Sequence, residues 1–237
     1  GPEEDRRLFY VLHFAKAPLP MVDREVSGLT IPARHHDLRL TVQRQARMIA
    51  RALERSPQLC GLIRGIDAAS HEVGCRPEVF ATAFRFLRGF VPWFSTPGDL
   101  PRRWPRLGAT YHAGEDFLDL ADGLRAVDEA VRFLNLEDGA RLGHGLSLGV
   151  EPEGYYKLKN RQTVLPAQDL LDNLVWLLFR SLEWGVEMPS ALRTRLTQQA
   201  ESLLRRIYGQ DVPGGTLEAY WRGWKLRGDD PELYRDP

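Results

Sequence analysis

Residues 107–115 read Leu-Gly-Ala-Thr-Tyr-His-Ala-Gly-Glu, a short apolar-rich run that closes on a histidine, a glycine and a carboxylate. Leu107–His112 has the length and composition of a buried strand. Gly114 then supplies a residue free to turn sharply. The same design recurs one unit later, where Ala140–His144 (ARLGH) is a short strand followed by Gly145. Between them, Leu118–Leu134 places Leu120, Leu124, Val127, Val131 and Leu134 on one face of a helix. Strand, helix and strand in that order imply a parallel βαβ unit and an α/β fold.

The alternation extends upstream. Leu8–Phe14 is apolar almost throughout and suits a parallel strand. A connection rich in proline and glycine follows, with Pro18, Pro20, Gly28 and Pro32. From Asp37 to Arg55 the residues Leu38, Val42, Ala46, Ile49, Ala50 and Leu53 recur at helical spacing. Cys60–Asp67 (CGLIRGID) reads as a second strand, and Pro77–Phe90 as a helix with proline in its first turn. The last three strands each lead into a loop carrying Gly, His, Asp or Glu. Ionisable residues gathered past parallel strands mark the active face of an α/β barrel or open sheet.

After Gly149 the pattern changes. Glu151–Gln162 is polar and predicts a loop, followed by helices over Ala167–Trp184, Ser190–Tyr208 and Thr216–Leu226. Trp176, Trp184, Trp221 and Trp224 give this block enough aromatic surface to pack as a unit. The division expected is therefore a βα segment over 1–150 and a helical insertion over 151–237.

Lys+Arg and Asp+Glu both number 32 in 237 residues, so the net charge is zero. A dedicated nucleic-acid binder usually shows a basic excess, and none is expected here. No apolar run approaches the length of a membrane span. Cys60 and Cys75 have no close-spaced partner and predict free thiols, hence a reducing, cytoplasmic setting.

The chemistry-bearing residues are His112, Gly114 and Glu115 at one strand end and His144 at the next. A strand-end imidazole can present a neutral nitrogen to a metal. A carboxylate three residues on can serve as general acid or base, and a second histidine stands at the neighbouring strand. Such a set suits metal-assisted hydrolysis, in which the metal lowers the pKa of bound water to about 7. A lone strand-end histidine is more often hydrogen-bonded structure; two histidines and a glutamate at consecutive strand ends favour chemistry.

Three motifs in order, GIDAASHE (65–72), HAGE (112–115) and GHG (143–145), resemble the adenosine deaminase family of metal-dependent hydrolases, over residues 8–150. The resemblance implies a partial TIM-type (β/α)8 barrel of about four central βα units with a C-terminal helical insertion. It implies hydrolytic, zinc-dependent deamination of adenosine or an adenine nucleotide to the inosine form. His112 would be a Zn2+ ligand, Glu115 would protonate the purine ring nitrogen, and His144 would orient the attacking water and accept its proton. Gly114 and the loop at Ser70 would approach the purine. The family pattern has glycine at the position of Ser70, which puts that backbone contact in question. Asp67 is as well suited to a supporting or structural role as to a substrate contact.

The family's zinc site also draws on an HxH pair and on an Asp of a terminal DD pair. The chain contains no HxH. His35 and His36 are adjacent in a helix-leading loop and are expected to face solvent. Asp229-Asp230-Pro231 imitates the DDP motif but follows a helix and a poor strand, so a helix-ending loop is expected. The resemblance thus implies that the remaining ligands lie outside this segment, and that the segment alone is an inactive piece of a longer deaminase. Gly154–Leu177 (GYYKLKNRQTVLPAQDLLDNLVWL) is similar to the deaminase-like component of antiphage RADAR systems, which implies a homo-oligomer and an ATPase partner. Two rivals stand beside this reading: another amidohydrolase-type barrel opening a lactone or amide, and a metal-free deaminase fold serving as an assembly or binding module.

Overall fold

Strand β1 (Tyr10–Lys16), β2 (Ile63–Ser70), β5 (Gly108–Ala113) and β6 (Arg141–His144) form one all-parallel sheet in the order β1-β2-β5-β6. The computed structural model describes residues 8–17, 35–94, 102–103, 105–137, 139–209 and 216–229. The connection holding Pro18, Pro20, Gly28 and Pro32 lies outside them, as do Asp230 and Pro231. Between the strands run helices α1 (His36–Arg55), α2 (Pro57–Leu62), α3 (Ala81–Gly89) and α4 (Leu120–Phe133). Two-residue strands β3 (Trp93–Phe94) and β4 (Arg102–Arg103) pair antiparallel as a separate small sheet. Helices α5 (Pro152–Leu158), α6 (Ala167–Glu183), α7 (Ser190–Tyr208) and α8 (Leu217–Lys225) complete the described chain.

The described residues divide into two compact units. One takes those up to Ala113, Glu129–His144 and Gly228 onward; the other takes Gly114–Asp128 and Gly145–Arg227. In the first, β1 and β2 run in register from Val11↔Gly65 to Lys16↔Ser70, and β5 and β6 from Thr110↔Arg141 to Ala113↔His144. Phe14, Phe80, Phe84 and Tyr111 make the core beneath the sheet, with ring centroids 5.8–6.5 Å apart. Helix α1 buries Val42, Ala46, Ala50 and Leu53, one face at helical spacing, and packs on α3. Each fully buried aliphatic or aromatic side chain contributes about 1.5–3 kcal/mol.

In the second unit α6 packs on α7 and α8. Trp221 and Trp224 stack at 4.5 Å, Phe179 stacks on Trp221 at 5.4 Å, and the Arg180 guanidinium lies 5.0–5.6 Å from the rings of Trp184, Trp221 and Trp224. No strand occurs after Gly149 among the described residues.

Three expectations need correction. Cys60–Leu62 belong to α2, not to a strand: Ser56 caps that helix by accepting from Leu59 N at 3.3 Å, and the strand begins at Ile63 and runs on to Ser70. The segment read as a loop over Glu151–Gln162 contains α5. The Glu151 carboxylate caps it, accepting from the backbone of Glu153 and Gly154 at 2.8 and 2.6 Å, and Pro152 pre-sets its first turn. His35 is buried, with a left-handed backbone (φ 61°) ahead of α1, rather than facing solvent. Cys60 and Cys75 are both free and buried. Asp229 follows α8 in a bend, where Arg85 donates to it at 3.0 Å and to Gly228 O at 2.6 Å.

Candidate active site

Each of the four parallel strands contributes a His or Asp to one row: His13 from β1, Asp67 from β2, His112 from β5 and His144 from β6. Asp67 is the hub. Its carboxylate is 2% exposed, and burying it unpaired would be costly. His112 Nδ1 lies 3.1 Å from each of its oxygens. His13, which stands opposite Asp67 in the register, places its own Nδ1 3.1 Å from Oδ2. A carboxylate on Nδ1 fixes that nitrogen as the N–H and leaves Nε2 as the open ligand or acceptor atom.

Gly143 sits opposite His112 in the register, and a Cβ there would fall 2.6–2.8 Å from the His112 ring. Only glycine leaves room for the imidazole. Regular alternation would turn residue 144 away from the face that residue 143 shares with His112. A left-handed backbone at His144 (φ 57°) breaks that alternation, and the two rings meet edge to face with centroids 5.2 Å apart. His112 is partly open to solvent, and His144 is exposed.

Lys16 closes the end of β1. It is 2% exposed, donates from Nζ to the main-chain oxygen of His112, and lies 4.4 Å above the Tyr111 ring. One side chain therefore ties the end of β1 to the residue that carries the imidazole on β5. Burial pushes its ammonium below the ordinary value, and the neighbouring charges of Glu72, Cys75 and Asp67 oppose that shift. Burial likewise raises the Tyr111 phenol well above its usual range and raises the Cys75 thiol.

Ser70, at the end of β2, is exposed and holds φ 89°, a backbone conformation that favours glycine. The turn expected of a glycine there is kept with a serine in its place. Gly114 and Glu115 belong to the second unit. Gly114 has φ 74°, accepts from Ser147 N at 2.8 Å, and has no space for a side chain, because a Cβ would run into the Ser147 hydroxyl. Glu115 is half-buried.

His112, His144 and Asp67 were thus legible as candidates, whereas His13 and Lys16 were not singled out. Their signal was a basic residue inside an otherwise apolar strand, but the pairing with Asp67 depends on the β1/β2 register. As a metal site the arrangement is partial. His112, backed by Asp67, has the form of one metal ligand with its supporting carboxylate. Among the described residues no group of three His, Cys, Asp or Glu side chains is placed to hold a metal ion, so they do not by themselves complete a zinc shell. No family model matches the chain, and no curated protein sequence does.

Proposed function

We propose that the chain carries part of an adenosine-deaminase-like hydrolytic site that acts on adenosine or an adenine nucleotide. The observation that carries the reading is the Asp67 carboxylate on His112 Nδ1, with the His144 ring 5.2 Å from that of His112 on the next strand. A histidine oriented by a buried carboxylate is how metal-ligating imidazoles are commonly held. The sheet order is also in favour. The strands run monotonically, β1-β2-β5-β6, as in a closed (β/α)8 barrel, whereas a doubly wound sheet reverses its order at a switch point. On this reading the chain holds about four βα units of such a barrel, with the α5–α8 helices as an addition to it.

His112 would offer Nε2 as one zinc ligand, and the remaining ligands would have to come from outside this segment. A zinc ion held there would lower the pKa of bound water. Asp67 keeps His112 in the tautomer that offers Nε2. His144 orients the water and takes up a proton, and Glu115 protonates the ring nitrogen of the purine. A protonating carboxylate next to the ligand sequence favours ring-nitrogen chemistry over lactone or amide opening. Homo-oligomer formation and an ATPase partner belong to the same proposal.

The test is Glu115→Gln in the full-length polypeptide that carries this sequence, with the conversion of adenosine, or of an adenine nucleotide, to its inosine form followed by mass. Bound metal should stay and turnover should fall about 10²–10⁴-fold, the range of a lost general acid. Turnover within a few-fold of wild type would remove the assigned mechanism.

A further inference from the structure

The row of polar side chains ends in a residue that the reaction above does not use. His13 gives Nδ1 to the Asp67 carboxylate at 3.1 Å while its side chain is 57% exposed. Its Nε2 has no partner among the described residues. One buried carboxylate therefore orients two imidazoles, His13 and His112, and leaves Nε2 of each open. A histidine that merely decorates an outer strand needs no such anchor, because a solvated imidazole satisfies itself with water. Fixing its tautomer and orientation matters when the free nitrogen has something to bind.

The position along the sheet says what that is. The reacting end of the substrate belongs with His112 and His144 on β5 and β6. His13 is at the outer end of the row, on β1, across β2 from His112. The Nδ1 atoms of both lie 3.1 Å from Asp67 Oδ2, so the two imidazoles flank one carboxylate and leave it on separate strands. A neutral imidazole Nε2 is an acceptor. It takes a hydroxyl or amine proton and does not suit a phosphate, whose oxygens are acceptors too. The neutral donors that a nucleoside carries away from its amino-bearing carbon are its sugar hydroxyls. Resting on the adenine-directed reading, we propose that His13 is a further substrate-binding residue whose Nε2 accepts a hydrogen bond from a ribose hydroxyl.

The experiment compares wild type, His13→Phe and His13→Gln in the full-length polypeptide, using adenosine and its 2′-, 3′- and 5′-deoxy analogues. In wild type one analogue should lose about ten-fold in kcat/KM, mainly through KM, the size of one neutral hydrogen bond. His13→Phe should lower adenosine to the level of that analogue and affect the analogue no further, with metal content unchanged. His13→Gln, which restores an acceptor, should recover part of the discrimination. Discrimination that survives His13→Phe, or a loss confined to kcat, overturns the inference while leaving the deaminase reading intact. A wild type that does not turn over adenosine overturns both. Long-range 1H–15N spectra of the ligand-free protein give an activity-independent arm: Nδ1–H on both His13 and His112 is expected, and a proton on His13 Nε2 would overturn the proposal.

Discussion

Two clusters of buried charge, one in each unit, end differently, although the sheet unit also holds a closed pair, Arg76 on Glu129 at 2.6 Å. In the helical unit the network closes on itself. Arg125, fully buried, donates to Asn173 at 2.8 Å and Asp122 at 2.9 Å and faces Asp172 at 3.5 Å. Asp172 also receives Arg227 at 2.7–2.8 Å and the Tyr220 hydroxyl at 2.5 Å. Asp128 accepts from Arg180 at 2.7 Å and Trp176 Nε1 at 2.8 Å. The carboxylates of this network all end on other protein groups, which is the signature of scaffolding, while Asn173 Nδ2 and Arg180 Nη2 stay buried without a hydrogen-bond partner among the described residues. In the sheet unit the buried hub Asp67 ends on two imidazoles, each with a nitrogen left open. That carboxylate is satisfied by groups that are themselves open to solvent, and the proposed ligand site rests on this. The difference between scaffold and site lies in where the hydrogen-bond chain stops, not in how many charges it contains.

The largest expected effect lies on the scaffold side. Asp172→Ala leaves Arg125 and Arg227 without their shared carboxylate and should cost about 3–5 kcal/mol in denaturant unfolding. A cost under about 1 kcal/mol would mean the network is better hydrated than its burial indicates. On the site side, Gly143→Ala forces a Cβ against the His112 ring. Displacement of that ring should lower turnover about 100-fold, with a stability cost of about 1–3 kcal/mol from overpacking. Equal losses of stability and nothing more would make residue 143 a packing position only.

Asp67→Asn should weaken metal binding about 10–100-fold, as expected when the carboxylate behind a ligating imidazole is lost. Isothermal titration with Zn2+ against wild type reads this, and an unchanged affinity would move Asp67 to the scaffold side of the comparison. A smaller effect comes from Lys16. Its folded-state pKa is lowered from 10.5, so between that lowered value and 10.5 the unfolded chain binds more protons and stability rises with pH. Unfolding curves of Lys16→Met should lack this rise relative to wild type as pH climbs toward 10.5; parallel curves would deny the burial of the amine. Smallest of all, Ser70→Gly should be neutral or stabilising by up to about 1 kcal/mol in thermal unfolding, since it relieves the left-handed backbone. Marked destabilisation would show that the serine side chain holds the turn.

Much of this contrast could be read from the chain before folding. Helices α6, α7 and α8 appear within a residue or two of their expected limits, because long amphipathic periods and Trp-rich faces declare themselves locally. The strands after Leu107 and Ala140 were equally clear, since apolar runs closing on Gly and His leave few alternatives. Helix α5 stayed hidden because its cap is a glutamate and its sequence is polar. Helix α2 stayed hidden because Cys60–Leu62 continue apolar into β2 with no break. The candidate site was half legible: HAGE and GHG are local motifs, and His112, Glu115 and His144 follow from them. The His13–Asp67–His112 cluster depends on parallel register between strands far apart in sequence, and no local pattern encodes that.

The central claim, that the open end of the sheet unit's polar row is a metal-assisted site, is tested most directly by the zinc content of the purified full-length polypeptide, measured by elemental mass spectrometry for wild type and His112→Ala. The account expects about one zinc ion per chain in wild type and its loss in His112→Ala with the fold retained. Wild type free of zinc after purification with zinc present, or zinc undiminished in His112→Ala, would contradict it.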